Sequence, residues 1–188
     1  MMNRNLDALQ LSGIRAYTNL AKTVDDCVML TLGEPDFDTP KPICDAACRS
    51  LQEGMTHYAP NQGLPQLRQA IAQKETARGY ACTEENILIT AGATGAIYTA
   101  MLGVLNCGDE VIVPTPAFPL YASIAAIAGA KVVPLYTEDF QISEAALAGV
   151  ITEKTKAIIL NSPNNPTGSV LTEASLQAVK KAVLGKDI

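Results

Sequence analysis

The sequence predicts an α/β domain on a mainly parallel sheet with flanking helices, joined to part of a second domain. Three observations carry this. From Glu85 onward, short apolar runs alternate with longer stretches of helical period, the pattern of strand–helix units. Three of the turns leaving those runs are rich in Gly, Pro and Asn, whereas the turns entering them ("NCGDE", "AGA", "TEKT") are plain. A length of 188 residues at 48% hydrophobic composition suffices for one packed domain and part of another.

The elements follow in order. Leu6, Leu9, Ile14, Tyr17 and Leu20 recur at helical spacing, which predicts a helix over residues 6–23. A short strand is predicted over 27–32, then the turn-rich "GEPDFDTPKP". Residues 42–53 read as a helix with Ile43, Ala47 and Leu51 on one face and Gly54 beyond its end. Residues 65–78 read as another, with Pro65 in its first turn and Gly79 after it. Strands are predicted at 87–90, 110–113, 131–136 and 156–160. Helices are predicted at 94–106, 119–128, near 143–150, and at 173–184, the last with Thr172 as N-cap and Gly185 as its stop.

Composition excludes several classes of function. The net charge is −5 and no basic stripe stands out, so nucleic acid is not an expected partner. The longest apolar stretch, near 122–130, is too short to span a bilayer, and the first residues do not read as a signal peptide. A cytoplasmic location is expected. The five cysteines form no CxxC pair, and the single histidine, His57, is not near them in sequence; reduced thiols and no metal site are expected.

Three turns carry chemistry, and in an open parallel sheet all three belong at the carboxyl ends of the strands, where ligands bind. In "TAGATGA" (90–96), Gly92 and Gly95 let backbone approach a ligand, and the amides of Ala93 and Thr94 open a helix, a place that favours phosphate. In "PTPAFPLY" (114–121), three prolines stiffen the chain around Phe118, whose ring suits either a stacking wall or a core position. In "NSPNNPTG" (161–168), Pro166 biases Asn165 toward extended geometry and so fixes a carboxamide that both donates and accepts. Phosphate cradle, aromatic wall and fixed amide suit a flat phosphorylated aromatic, either a nucleotide or a phosphorylated pyridine.

Those three turns, with "GEPDF" (33–37) and "HYAPNQGLPQLRQAIA" (57–72), stand in the order and spacing of class I/II aminotransferases, which the chain resembles over nearly its whole length. The more specific signals are "NNPTG" and the pattern of Tyr58, Gly63, Leu67 and Arg68. The resemblance implies fold type I and the cofactor pyridoxal 5′-phosphate (PLP). It implies that Ala93 and Thr94 bind the cofactor phosphate and that Phe118, often tyrosine in the family, stacks on the pyridine. Asn165 would bond the phenolic oxygen, Gly33 would offer its amide to the substrate carboxylate, and Tyr58 would reach the phosphate of the other subunit in a homodimer. The substrates implied are an amino acid and a 2-oxo acid.

The resemblance also assigns residues 1–45 to the N-terminal part of a smaller α+β domain and 46–188 to the first part of the PLP-binding large domain. It implies a seven-stranded sheet, expected in the spatial order first, seventh, sixth, fourth, fifth, second, third. The lysine that holds the cofactor, the acid opposite its ring nitrogen and the substrate-gripping arginine are expected after residue 188, so the chain is expected to be an amino-terminal fragment, inactive alone. Lys180, Lys181 and Lys186 lie at a helix end and do not replace that lysine. Alternatives are another fold-type-I enzyme (a β-lyase or a cyclopropane-carboxylate synthase), a ligand-sensing module without catalysis, and a nucleotide-binding domain. The last is disfavoured because "GATG" lacks full GxGxxG spacing.

Overall fold

A computed structural model describes Asn5 and residues 13–188. The described residues fall into two compact units, one on residues 13–91 and one on residues 92–188. Asn5 belongs with the second, its Nδ2 donating to the Ile127 carbonyl at 3.2 Å.

The first unit holds helices α1 (Ile14–Ala21), α2 (Lys41–Gln52) and α3 (Pro65–Ala77). Proline in the first turn of α2 and α3 supplies a preset φ where an N–H would have no helical partner. Both helices fall within a residue of their predicted bounds. Of the helix predicted over 6–23, residues 6–12 lie outside the described residues. The strands predicted at 27–32 and 87–90 do not form. No neighbouring chain pairs with residues 27–32 among the described residues, and Val28, Leu30 and Leu32 are 80%, 88% and 60% exposed. A run of β-favouring residues becomes a strand only where another strand receives its hydrogen bonds.

Residues 84–89 are instead held by side chains of the "YxxxxGxxxLR" pattern. Arg68 is 6% exposed. Its Nε and Nη2 donate to the Glu84 carbonyl at 3.0 and 2.7 Å, and Nε also to the Ile87 carbonyl at 3.1 Å. Gly63 sits at φ +99°, and a β-carbon there would lie 2.4 Å from Ile89 Cγ1. Only glycine satisfies both conditions. The Ile89 amide then donates to the Gln62 carbonyl at 3.0 Å.

The second unit is the predicted α/β fold. It runs α4 (Gly92–Val104), β1 (Glu110–Thr115), α5 (Leu120–Ile127), β2 (Lys131–Tyr136), α6 (Glu144–Ala148), β3 (Thr155–Ile158) and α7 (Glu173–Val183). Thr172 caps α7 as predicted, its hydroxyl accepting from the Ser175 amide. The strands are parallel in the order β2-β1-β3. This corrects the expected order, which put a further strand between 110–113 and 156–160. Instead Val111 and Ile112 align with Ala157 and Ile158, and the Ile159 amide continues the ladder to the Ile112 carbonyl at 2.9 Å. The apolar runs match on both edges of β1, and no turn residue specifies which neighbour it takes.

Alternation along β1 divides the core between two faces. Val111 and Val113 pack with Met101, Leu105, Tyr121, Ile124 and Ala125 under α4 and α5. Ile112 packs with Leu135, Ile142, Leu147 and Val179 under α6 and α7. At the amino end of the sheet, Glu110 ties the strands together. It accepts from the Thr152 hydroxyl at 2.6 Å and lies 3.5 Å from Lys131 Nζ. The Thr152 bond holds its carboxyl below the usual range, against the cost of burial and with help from Lys131. The five cysteines are unpaired.

Candidate functional site

At the carboxyl ends of β1 and β3 the chain opens into a crevice lined by residues 113–117, Phe140, Asn161, Asn164 and Ser169, among others. Its cavity volume is about 30 Å³, room for a water or two and not for an aromatic ring. The two proline-rich loops meet here. Asn164 Nδ2 donates to the Pro116 carbonyl at 3.1 Å, bridging the turn after β1 to the turn after β3.

The three asparagines of "NSPNNPTG" have different surroundings. Asn161 accepts from the Asn165 amide through Oδ1 at 2.9 Å and donates through Nδ2 to the Pro163 carbonyl at 3.0 Å. Asn164 donates to Pro116 and to Thr167 Oγ1, the latter at 2.9 Å. Its backbone pairs with Ser169 and Gly168. Both half-buried carboxamides are thus committed to holding the loop. Asn165 is exposed, and among the described residues its carboxamide makes no hydrogen bond. It precedes Pro166 through a cis peptide; Thr115–Pro116 and Ser162–Pro163 are cis as well. Of the three, Asn165 is the amide available to a ligand.

Ala93 and Thr94 lie exposed in the first turn of α4, where backbone N–H groups have no intrahelical acceptor. That turn contains no acidic side chain to compete for them. Gly92 holds φ +72° at the entry, a conformation a β-carbon resists. A helix start of this kind attracts an anion. Phe118 is half-buried against the β1 core, edge-on to Tyr121 with ring centroids 6.1 Å apart. The ring is fixed by the core and only partly covered by it, so the two readings of Phe118 are compatible. Gly33 and Tyr58 belong to the other unit. Tyr58 is fully exposed, and a β-carbon at Gly33 would meet open space.

The sequence pointed to Asn165 as a candidate and did not show the bonds that Asn161 and Asn164 make around it. Asn161 and Asn164 read only as turn-formers, because nothing in their spacing tells a bonded amide from a free one. Arg68 was visible as part of a motif, but its burial against backbone carbonyls was not.

Comparison with known proteins gives a consistent result. The family model described as Aminotransferase class I and II matches residues 25–186. Over 192 residues the chain is 41% identical to the aspartate aminotransferase of Pyrococcus abyssi, covering 100% of this chain and 49% of that protein. It is 38% identical over 192 residues to aromatic-amino-acid aminotransferase 2 of Thermococcus litoralis, again covering 100% of this chain and 49% of the relative. The solved aspartate aminotransferase of Thermotoga maritima superposes with a TM-score of 0.94 at 32% identity, covering 100% of this chain and 52% of that one. The chain spans about half the length of the curated relatives it matches.

Proposed function

Because the chain belongs to the class I and II aminotransferases, we propose that the whole protein performs PLP-dependent transamination between an amino acid and a 2-oxo acid. The observation that carries this is the extent of the family match, residues 25–186, which takes in every candidate residue from Gly33 to Asn165. Relatives of similar identity are named for aspartate and for aromatic amino acids, so the class of reaction is proposed and the side chain of the substrate is left open.

The donor set fits PLP. The α4 entry offers amides to a phosphate, Phe118 offers a fixed aromatic ring, and Asn165 offers an uncommitted carboxamide. When bound, PLP supplies an electron sink for the carbon that gives up its amino group. This chain's residues do the holding. The Ala93 and Thr94 amides and the Thr94 hydroxyl bind the phosphate. Phe118 limits the tilt of the ring, and Asn165 donates to the phenolic oxygen. The Gly33 amide receives the substrate carboxylate, and Tyr58 completes the phosphate site of the other subunit in a homodimer. Residues 1–45 contribute to a small domain and 46–188 to the cofactor domain, in the cytoplasm.

The test is amino-group transfer by the whole protein, stripped of PLP and then reloaded, across a panel of amino acids and 2-oxo acids. Stoichiometric transfer that depends on added PLP is expected. Release of ammonia with no new amino acid formed would move the assignment to a lyase. Tight PLP binding with no turnover of any substrate would make the protein a binding module.

A further inference from the structure

We propose that Asn161 is a positioning residue for Asn165, fixing the backbone from which the Asn165 carboxamide reaches the phenolic oxygen of PLP. This rests on the role given to Asn165 above and goes one residue further. Asn161 sits three residues beyond the end of β3, at the start of the turn. Its Oδ1 accepts from the Asn165 backbone N–H at 2.9 Å, four residues ahead, and its Nδ2 donates to the Pro163 carbonyl at 3.0 Å. One planar group thus grips the turn at two points. The two bonds agree on which end of the amide is oxygen, since a backbone N–H needs an acceptor and a carbonyl needs a donor.

The grip matters because little else holds Asn165 directly. The next peptide nitrogen belongs to Pro166 and cannot donate. The Asn165 side chain is exposed and, among the described residues, makes no hydrogen bond. The surrounding loop is braced elsewhere, by Asn164 on Pro116, by the Thr167–Ser169 hydroxyl pair at 2.7 Å, and by the Leu171 amide on Ser162 Oγ at 3.0 Å. Those contacts secure residues 162–171 as a unit. The bond to Asn161 Oδ1 is the one that reaches the Asn165 peptide itself. An amide aimed at a ligand oxygen needs its backbone fixed to a fraction of an ångström, and a single bond at its own N–H does that.

The experiment uses the whole protein freed of cofactor. Its readout is the ratio of affinities for PLP and for the analogue lacking the 3-hydroxyl, measured by fluorescence titration. Both compounds carry the phosphate, so general damage to the fold or the phosphate site lowers both affinities and leaves the ratio unchanged. Asn165→Ala should reduce the ratio on the order of tenfold. Asn161→Ala should reduce it about 2- to 12-fold, the range for loss of one neutral hydrogen bond. Asn161→Asp keeps an oxygen facing the Asn165 N–H but turns its second oxygen, which cannot donate, toward the Pro163 carbonyl, so the ratio should recover only in part, to a value between those of Asn161→Ala and the native protein. The double variant should fall no further than Asn165→Ala alone, because both act through one contact.

If Asn161→Ala weakens both compounds equally, or if the two effects multiply in the double variant, Asn161 is a structural turn residue and the proposal fails while Asn165 keeps its role. If Asn165→Ala itself leaves the ratio at the native value, the assignment of Asn165 to the phenolic oxygen fails, and this proposal fails with it.

Discussion

Residues 111–113 read Val-Ile-Val and residues 87–89 read Ile-Leu-Ile, and by sequence both are strands. Only the first is one. Val111 and Ile112 are fully buried, with β2 on one edge, β3 on the other and a helical layer on each face. Ile87 is extended, but residues 87–90 join no sheet among the described residues; Leu88 is 51% exposed, and the Ile89 amide bonds the Gln62 carbonyl in a loop. Hydrophobicity brings a segment inward, but a strand also needs an acceptor and donor row at its side. Where that row is missing, Gly63 and the guanidinium of Arg68 take over the work of fixing the chain.

That contrast can be broken directly. Ile112→Ala should cost about 2–5 kcal/mol in urea unfolding, whereas Leu88→Ala should cost under about 1 kcal/mol. Equal costs would mean the two runs are buried alike after all. Gly63→Ala is expected to cost about 2–4 kcal/mol, because positive φ and the overlap with Ile89 add together. Ile89→Ala in the same chain removes the Cγ1 overlap but keeps the Ile89 Cβ 2.5 Å from the new methyl, so it should restore only a fraction of the packing part and none of the backbone part. Arg68→Met removes the clamp on Glu84 and Ile87 and should cost about 1.5–3 kcal/mol. Its hydrogen-exchange signature should be faster exchange in residues 84–89 with residues 110–115 unchanged; uniform loss of protection would show that the clamp supports the fold at large.

The smallest effect concerns the other end of the sheet. The Glu110 carboxyl is held below its ordinary value by the Thr152 hydroxyl, with Lys131 contributing. A depressed folded value means its stabilisation is present above the unfolded pKa of about 4.3 and is lost as pH falls through the folded value. Glu110→Gln should therefore be less stable than the native chain at pH 7, and the difference should narrow at pH 3. Urea midpoints at the two pH values check this, and a constant difference would show that the carboxylate charge is not what ties the strands.

The helices were legible because their signals are local. Pro65, Thr172 with Gly185, and the apolar spacing in 42–53 act within one or two turns, so neighbouring residues suffice to place them. The gathering of chemistry at one sheet edge was legible too, because parallel strands put all their exits on one side. The failures were non-local. The strands at 27–32 and 87–90 were expected from their apolar residues and, among the described residues, join no sheet, and β3 was set one place too far from β1. In the site, Pro166 singled out Asn165 by sequence, but the bonds that commit Asn161 and Asn164 were not legible, since they depend on which carbonyls and amides stand within 3 Å or so.

By itself, then, the sequence determined which segments are helical, where they stop, and which turns carry unusual residues, because capping, φ preference and periodicity are properties of a few consecutive residues. Only the tertiary structure decided that β1 lies between β2 and β3, that Arg68 is buried against the Glu84 and Ile87 carbonyls, and that one asparagine of three remains uncommitted. Each of those depends on hydrogen-bond partners distant in sequence. A donor carries no mark of which acceptor it will meet until the chain has packed.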